Sequence, residues 1–411
     1  MSSGRNEKNT MSSNLVDSKE SIIKNETYQE LQRIESSRRS LLRKVELPAW
    51  RVMFNWKGTI LPIIVTDVQL FVNITLFITL RIYARTNEKL PDVMTGITAG
   101  VGDNLKTIGG FLSFFLVFFV VQNNNRFNDM YMYCMKGKGE ILSIASIARA
   151  NLPREPSLRL VRHLNAAYAA GFVGLSEAYS YAGYFKEINK NLCLLTNSEM
   201  DRVAKCGMDR GGSCYREILQ WVQIQLTDCQ KKDMVDSQTS KLLRGKVLNL
   251  QSCISALYNY HDQPVIFFYI HFVVFVSVLY LPLFAVQAAA NIKVSEHWAA
   301  DAVAACLVFL QTVFVIGLRE LGQKLSDPFG VDYEDLSVMH YVSFTWRESG
   351  RILNARFPTN EKSSKSLYMP SENDIVRNRD PIGEAWDLSP YTVTVDEESF
   401  YSDCAKDDII L

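Results

Sequence analysis

The chain is 411 residues long and 47% hydrophobic, and its 44 basic residues balance 44 acidic ones to a formal net charge of zero. That balance supplies no electrostatic argument for a nucleic-acid partner, and none is expected. The apolar residues are gathered into blocks, which excludes an ordinary soluble globule, and no Ser-His-Asp grouping, phosphate loop or metal-binding histidine pair suggests an enzyme.

Residues 1–37 form a polar extension, and no apolar signal-peptide core occurs in the first 45 residues. From 38 to 121 an N-terminal arm leads into two membrane blocks. The first, Ile60 to Ile82, is long enough to cross a bilayer with Asp67, Gln69 and Asn73 aboard, so one face should see protein or water. The second, Ile108 to Val121, contains five phenylalanines. It would rise only about 21 Å against about 30 Å of hydrocarbon. The adjoining Gln122-Asn123-Asn124-Asn125 reads as a helix end. So short a helix belongs inside a bundle, either with a role of its own or as plain core.

Residues 122–263 read as a helical domain. Leu158, Val161, Leu164, Ala167 and Tyr168 share one face over Ser157–Leu175, and similar spacing recurs over Tyr215–Leu226 and Ser240–Tyr260. Residues 264–320 hold two further spans, Pro264 to about Ala290 and Trp298 to Leu318. Arg38, Arg39, Arg43, Lys44, Arg51 and Lys57 precede the first block, Arg319 and Lys324 follow the last, and Lys293 alone separates the third from the fourth. The positive-inside rule therefore puts both termini and the 122–263 segment in the cytosol. In that compartment the eight cysteines are expected to be reduced thiols. The tail, 354–411, is rich in Ser, Asp, Glu, Asn and Pro and is expected to be largely disordered or strap-like.

Residues 321–353 carry the most informative stretch. At the edge of the last apolar run, Asp327-Pro328-Phe329-Gly330 is followed by Asp332, Glu334 and Asp335. Carboxylate oxygens around a kinked backbone are what Ca²⁺ takes as ligands. The same acids could instead cap and charge the start of the next helix.

With these motifs in order over roughly residues 38 to 350, the chain resembles the bestrophins, pentameric Ca²⁺-activated anion channels. Asn55-Trp56-Lys57-Gly58-Thr59-Ile60 is similar to the family's approach to its first span. Phe114 to Tyr131, with Asn125-Arg126-Phe127-Asn128, resembles the pore helix and its exit. Leu257-Tyr258-Asn259-Tyr260 also matches, and Asp327-Pro328-Phe329-Gly330 with the acids after it is the most specific signal. The resemblance implies an all-α membrane protein: four transmembrane helices plus a cytosolic helical domain, assembled as a homopentamer. It implies a hydrophobic neck that, counted back from Arg126, falls at Gly110, Phe114 and Phe118. Gly110 stands where the family has a bulky aliphatic residue, so the outer neck should be wider. Phe111, Phe115 and Phe119 form a competing stripe, and Arg126 could pair with an acid.

For Ca²⁺ the resemblance implies the side chains of Asp332 and Asp335 and the backbone carbonyls of Lys324, Asp327 and Leu42. Asp327 replaces an Asn, Val331 replaces an acid, and Tyr333 interrupts the acidic run; the lower charge should weaken Ca²⁺ binding. A second constriction maps near Gln238. The implied protein is a multi-pass chloride channel of the plasma membrane, contacting lipid, monovalent anions and its own copies. A non-conducting regulatory or scaffold protein is the alternative. A secondary anion transporter using Asp67 and Asn73 would need internal repeats or broken helices, which the sequence does not display.

Overall fold

The computed structural model describes residues 28–36, 56, 59–86, 90–205, 214–263, 265–292 and 298–355, and for most positions between 90 and 103 the backbone alone. The expectation at Leu42, the 1–27 part of the polar extension and the 356–411 tail lie outside these residues. Every regular element among them is helical: α1 (28–36), α2 (Leu61–Thr66), α3 (Val68–Thr86), α4 (Leu90–Asn151), α5 (Arg154–Ala170), α6 (Lys186–Leu192), α7 (Asn197–Lys205), α8 (Cys214–Lys231), α9 (Ser237–Asp262), α10 (Phe267–Ala290), α11 (Trp298–Ser326) and α12 (Val338–Leu353), with a 3₁₀ turn at Glu177–Tyr179 and a π turn at Tyr181–Phe185.

One helix organises the molecule. The phenylalanine block does not end at Val121; it is the middle of α4, 62 residues and about 93 Å long. Nothing in Gln122 to Asn125 forces a stop, since a helix needs Gly, Pro or a capping geometry to end sharply. Only Asn123 of that run is buried; Gln122, Asn124 and Asn125 face outward, where their amides stay solvated. Beyond the run, α9 and α12 pack along α4 and hold it straight on into the polar half.

Among the described residues four helices are long and apolar enough to cross a membrane: Val68–Thr86, Asn104–Asn151 within α4, Phe267–Ala290 and Trp298–Ser326. The first apolar block is broken, contrary to its reading as one span. Asp67 leaves the helical region (ψ 121°) between α2 and α3, and its Oδ1 accepts the backbone N–H of Gln69 at 2.8 Å. A short acid that captures a nearby N–H offers the backbone an alternative to the helix. The second carboxylate oxygen receives Arg319 Nη2 at 2.8 Å, while Arg319 Nη1 donates to Gln69 Oε1 at 3.1 Å. The polar residues of this block thus face protein, as expected, and Asp67 is a joint with α11. At the opposite end, Arg81 donates to Asp301 at 2.8 Å and to the carbonyls of Ala289 and Ile292. That cluster clasps the ends of α3, α10 and α11.

The polar half is built around one core in which Tyr168, Phe172, Tyr184, Tyr215 and Leu226 are almost wholly buried. The helix expected over Ser157–Leu175 stops at Ala170, and Gly171 lies so close to Ile254 that an added Cβ would sit 2.9 Å from it. Tyr28 and Leu31 of α1 join this core, so part of the polar extension is docked. Arg162 Nη1 and His163 Nε2 reach Glu199 at 2.7 and 2.8 Å, fastening α7 to α5. Burial pushes the Glu199 carboxyl up, but hydrogen bonds and charge from His163 and Arg162 outweigh it and hold it well below the usual carboxylate range.

Candidate permeation face and acidic loop

The middle of α4 has two chemically similar faces with different surroundings. Leu105, Leu112, Leu116 and Phe119 are buried against the other spans. Tyr269 of α10 donates its hydroxyl to the Phe115 carbonyl at 3.0 Å, and Gln287 donates to the Gly102 carbonyl at 3.2 Å. The paired glycines divide between the faces. A Cβ on Gly109 would lie 2.5 Å from the Tyr280 hydroxyl, whereas one on Gly110 would meet nothing. Gly322 of α11 plays the same part lower down, leaving room for the Phe119 ring.

The other face is bare. Gly110, Phe114 and Phe118 all lie on it, Phe114 65% and Phe118 51% exposed, with their rings stacked 6.4 Å apart at 14°. The competing stripe splits: Phe119 is core, Phe115 packs edge-on to Phe272 at 5.6 Å, and Phe111 is 62% exposed. An α-helix brings positions i, i+4 and i+8 onto one side, so the two stripes are separated by only about 100° of rotation. Which stripe is buried depends on where α10 and α11 lie, and sequence spacing does not encode that.

Arg126 turns away from the bare face. Its guanidinium donates to the carbonyls of Gln263 and Tyr260 and lies 5.4 Å from the Tyr260 ring centroid. It thereby satisfies carbonyls at the end of α9 that have no partner within that helix. Gln238 is exposed in the first turn of α9, whose Asp236 cap accepts from Thr239 N at 2.8 Å. That position is about 33 Å along the helix from Tyr260.

After α11 the acidic loop folds back on itself. Phe329 inserts into the polar-half core, 6.1 Å from the Phe172 ring centroid. Gly330 has no left-handed φ; it is needed because the Asp335 carboxylate lies against it, where a Cβ would sit 2.5 Å from Oδ2. Asp335 Oδ2 accepts the backbone N–H of Asp332 at 2.7 Å, and Asp327 Oδ1 accepts that of Phe329 at 3.3 Å. Asp332 Oδ2 is 2.9 Å and Glu334 Oε2 3.7 Å from the ammonium of Lys324. The acids do not cap α12, whose N-cap Ser337 makes no side-chain cap bond.

Ca²⁺ takes six to eight oxygens at about 2.3–2.6 Å. Here each of the four acids is already engaged by a backbone N–H or by Lys324. No three His, Cys, Asp or Glu side chains among the described residues form a group that could hold a metal ion. Among the described residues, Asp332 and Asp335 are turned to partners within the chain. Lys324, which the resemblance involves only through its carbonyl, enters through its side chain. A lysine placed eight residues before the first acid of the run was the available signal, and spacing alone does not reveal that the two converge.

Comparison with known proteins agrees with this architecture. The family described as "Bestrophin, RFP-TM, chloride channel" matches residues 42–352. Crystal structures of a bacterial bestrophin homologue from Klebsiella pneumoniae superpose with TM-scores of 0.58 and 0.59 at 17% identity, covering 70% of this chain and 98% of theirs; the second is a point variant. A further variant covers 73% of this chain and 100% of its own. No curated protein matches the sequence. At 17% identity the structural likeness speaks for the fold alone, while the family match extends over most of the chain from the arm to the end of α12. The chain is an integral membrane protein belonging to the bestrophin family.

Proposed function

We propose that this protein is an anion channel, conducting chloride through a throat formed where copies of α4 meet around a common axis, five by analogy with the family. The observation that carries this is the bare face of α4 that holds Gly110, Phe114 and Phe118, opposite the face that buries Leu105, Leu112, Leu116 and Phe119. An apolar ring offers an anion no donors to replace its water, so a narrow ring dewets and closes while modest widening admits water and ions. Weakly hydrated anions should cross more readily, and the positive edges of the phenylalanine rings favour anions over cations. Gly110 leaves the outer end wide. Both ends of the chain and the polar half lie on the cytosolic side in this reading, supported by the Lys/Arg distribution, and Gln238 remains a candidate for an inner constriction. Calcium gating is not part of the proposal: of the two carboxylates expected to bind the ion, Asp332 pairs with Lys324 and Asp335 accepts the backbone N–H of Asp332.

Flux of chloride from liposomes containing the purified protein tests the proposal. Phe118→Ala should make the throat leakier and raise flux. Unchanged flux in Phe118→Ala would remove the stripe from the pathway, and absent chloride flux under every condition would favour a non-conducting scaffold.

A further inference from the structure

The continuity of α4 has a consequence for what an anion meets after the phenylalanines. Because the helix runs unbroken from Leu90 to Asn151, register carries across Gln122–Asn125 without a reset. Asn125 lies seven residues beyond Phe118, about 20° from its azimuth and about 10.5 Å further along the axis; Asn128 follows within about 40° of Phe114. Both are exposed, on the sector shared by Phe114, Phe118 and Val121, whereas Asn123 and Met130 point the opposite way into protein.

The charged residues of this turn are engaged elsewhere. Arg126 is held by the carbonyls of Tyr260 and Gln263, and Asp129 accepts the Tyr260 hydroxyl at 2.9 Å. Among the described residues neither the Asn125 nor the Asn128 amide is drawn into a hydrogen bond. A side-chain amide presents two N–H donors, which is the chemistry a partly dehydrated anion lacks inside an apolar ring.

We infer that Asn125 and Asn128 form an amide girdle on the polar-half side of the neck, where the anion regains hydrogen bonds, and that they set discrimination among anions. The inference rests on the reading of the Phe114–Phe118 stripe as the throat. Neutral donors accept any monovalent anion without trapping it, as a fixed charge would; conduction needs binding that is favourable yet weak enough to leave. The denser charge of chloride gains more from these donors than iodide does. The girdle therefore offsets part of the neck's preference for weakly hydrated anions.

The test uses the full-length protein in planar bilayers with bi-ionic chloride and iodide solutions. Asn125→Asp replaces donors by a ring of carboxylates on an exposed, nearly isosteric side chain. It should lower chloride conductance about tenfold, the loss expected when a hydrogen bond to a charged species is removed. Asn125→Leu should raise the iodide-to-chloride permeability ratio, and Asn125→Gln should preserve it. Asn125→Cys gives a readout that does not depend on folding of a charged variant: an anionic methanethiosulfonate reagent applied to the assembled channel should suppress its current. Phe118→Ala is measured alongside. Altered conductance in Phe118→Ala with wild-type behaviour in all the Asn125 variants overturns the girdle and leaves the throat standing. Silence in Phe118→Ala and every Asn125 variant overturns the throat, and the girdle with it.

Discussion

An ammonium fixed 2.9 Å from the Asp332 carboxylate and 3.7 Å from that of Glu334 brings positive charge, from within the chain, to the place where a dication would otherwise relieve repulsion between acids. With Lys324 27% and Asp332 56% exposed, the pair is worth no more than about 1 kcal/mol of stability. Its importance is exclusion: a dication approaching these oxygens must displace the lysine or bear its repulsion. Chloride flux through the unaltered protein should therefore be the same in chelator and in saturating Ca²⁺. Lys324→Met should leave thermal stability nearly unchanged yet raise the loop's affinity for terbium about tenfold, read as luminescence sensitised by the neighbouring Tyr333. Lys324→Arg should behave as wild type. Calcium-stimulated flux, or tight terbium binding, in the unaltered protein would show that the loop senses the ion despite its lysine.

At the scale of elements, the contact between α11 and α4 is set by Gly322, whose missing side chain is occupied by the Phe119 ring. Gly322→Ala would normally favour a helix, but here the new methyl must push Phe119 out of the core. Overpacking of this kind costs about 1–3 kcal/mol, so the melting temperature of the detergent-solubilised protein should fall; a rise would mean that the ring has room to move. Elements bounded by long apolar runs were legible in the sequence: α10 and α11 begin at Phe267 and Trp298, within three residues of where hydropathy places them. The polar features misled. The amides at 122–125 look like a helix stop, yet three of them point to solvent, and solvated amides carry little cost in a helix held by its neighbours. Asp67 looks like a polar passenger in a span, yet its carboxylate, anchored by Arg319 252 residues away, breaks the helix. Long-range partners decided both cases, and no local pattern contains them.

For the molecule as a whole, the question is what covers the bare apolar surface of the spans. Phe111, Phe114, Val117, Phe118 and Val121 of α4 are between 48% and 65% exposed in the protomer. The grooves along the spans, one between α4 and α10 lined by Ile108, Phe111, Phe115 and Phe272, another along α10 and α11 lined by Phe284, Leu307 and Phe314, are apolar. Grooves of that composition suit lipid or a neighbouring helix; an ion would find no side-chain donor in the first and only the Gln311 amide in the second. Lipid can cover the outward faces of α3, α10 and α11. Beyond Val121 the bare face of α4 continues with the exposed amides of Asn125 and Asn128, which water solvates and an acyl chain does not. A surface that is greasy at one level and amide-lined at the next suits a shared water-filled axis better than an acyl chain. Closed rings of identical subunits provide such an axis through one repeated contact. In mild detergent the native mass should accordingly be a multiple of the 46.8 kDa chain, with five copies giving about 234 kDa. Phe114→Glu should leave that mass intact if the stripe faces the water-filled axis and abolish assembly if it faces a neighbouring subunit. A monomeric mass for the unaltered protein would leave the stripe facing lipid and the chain without a throat.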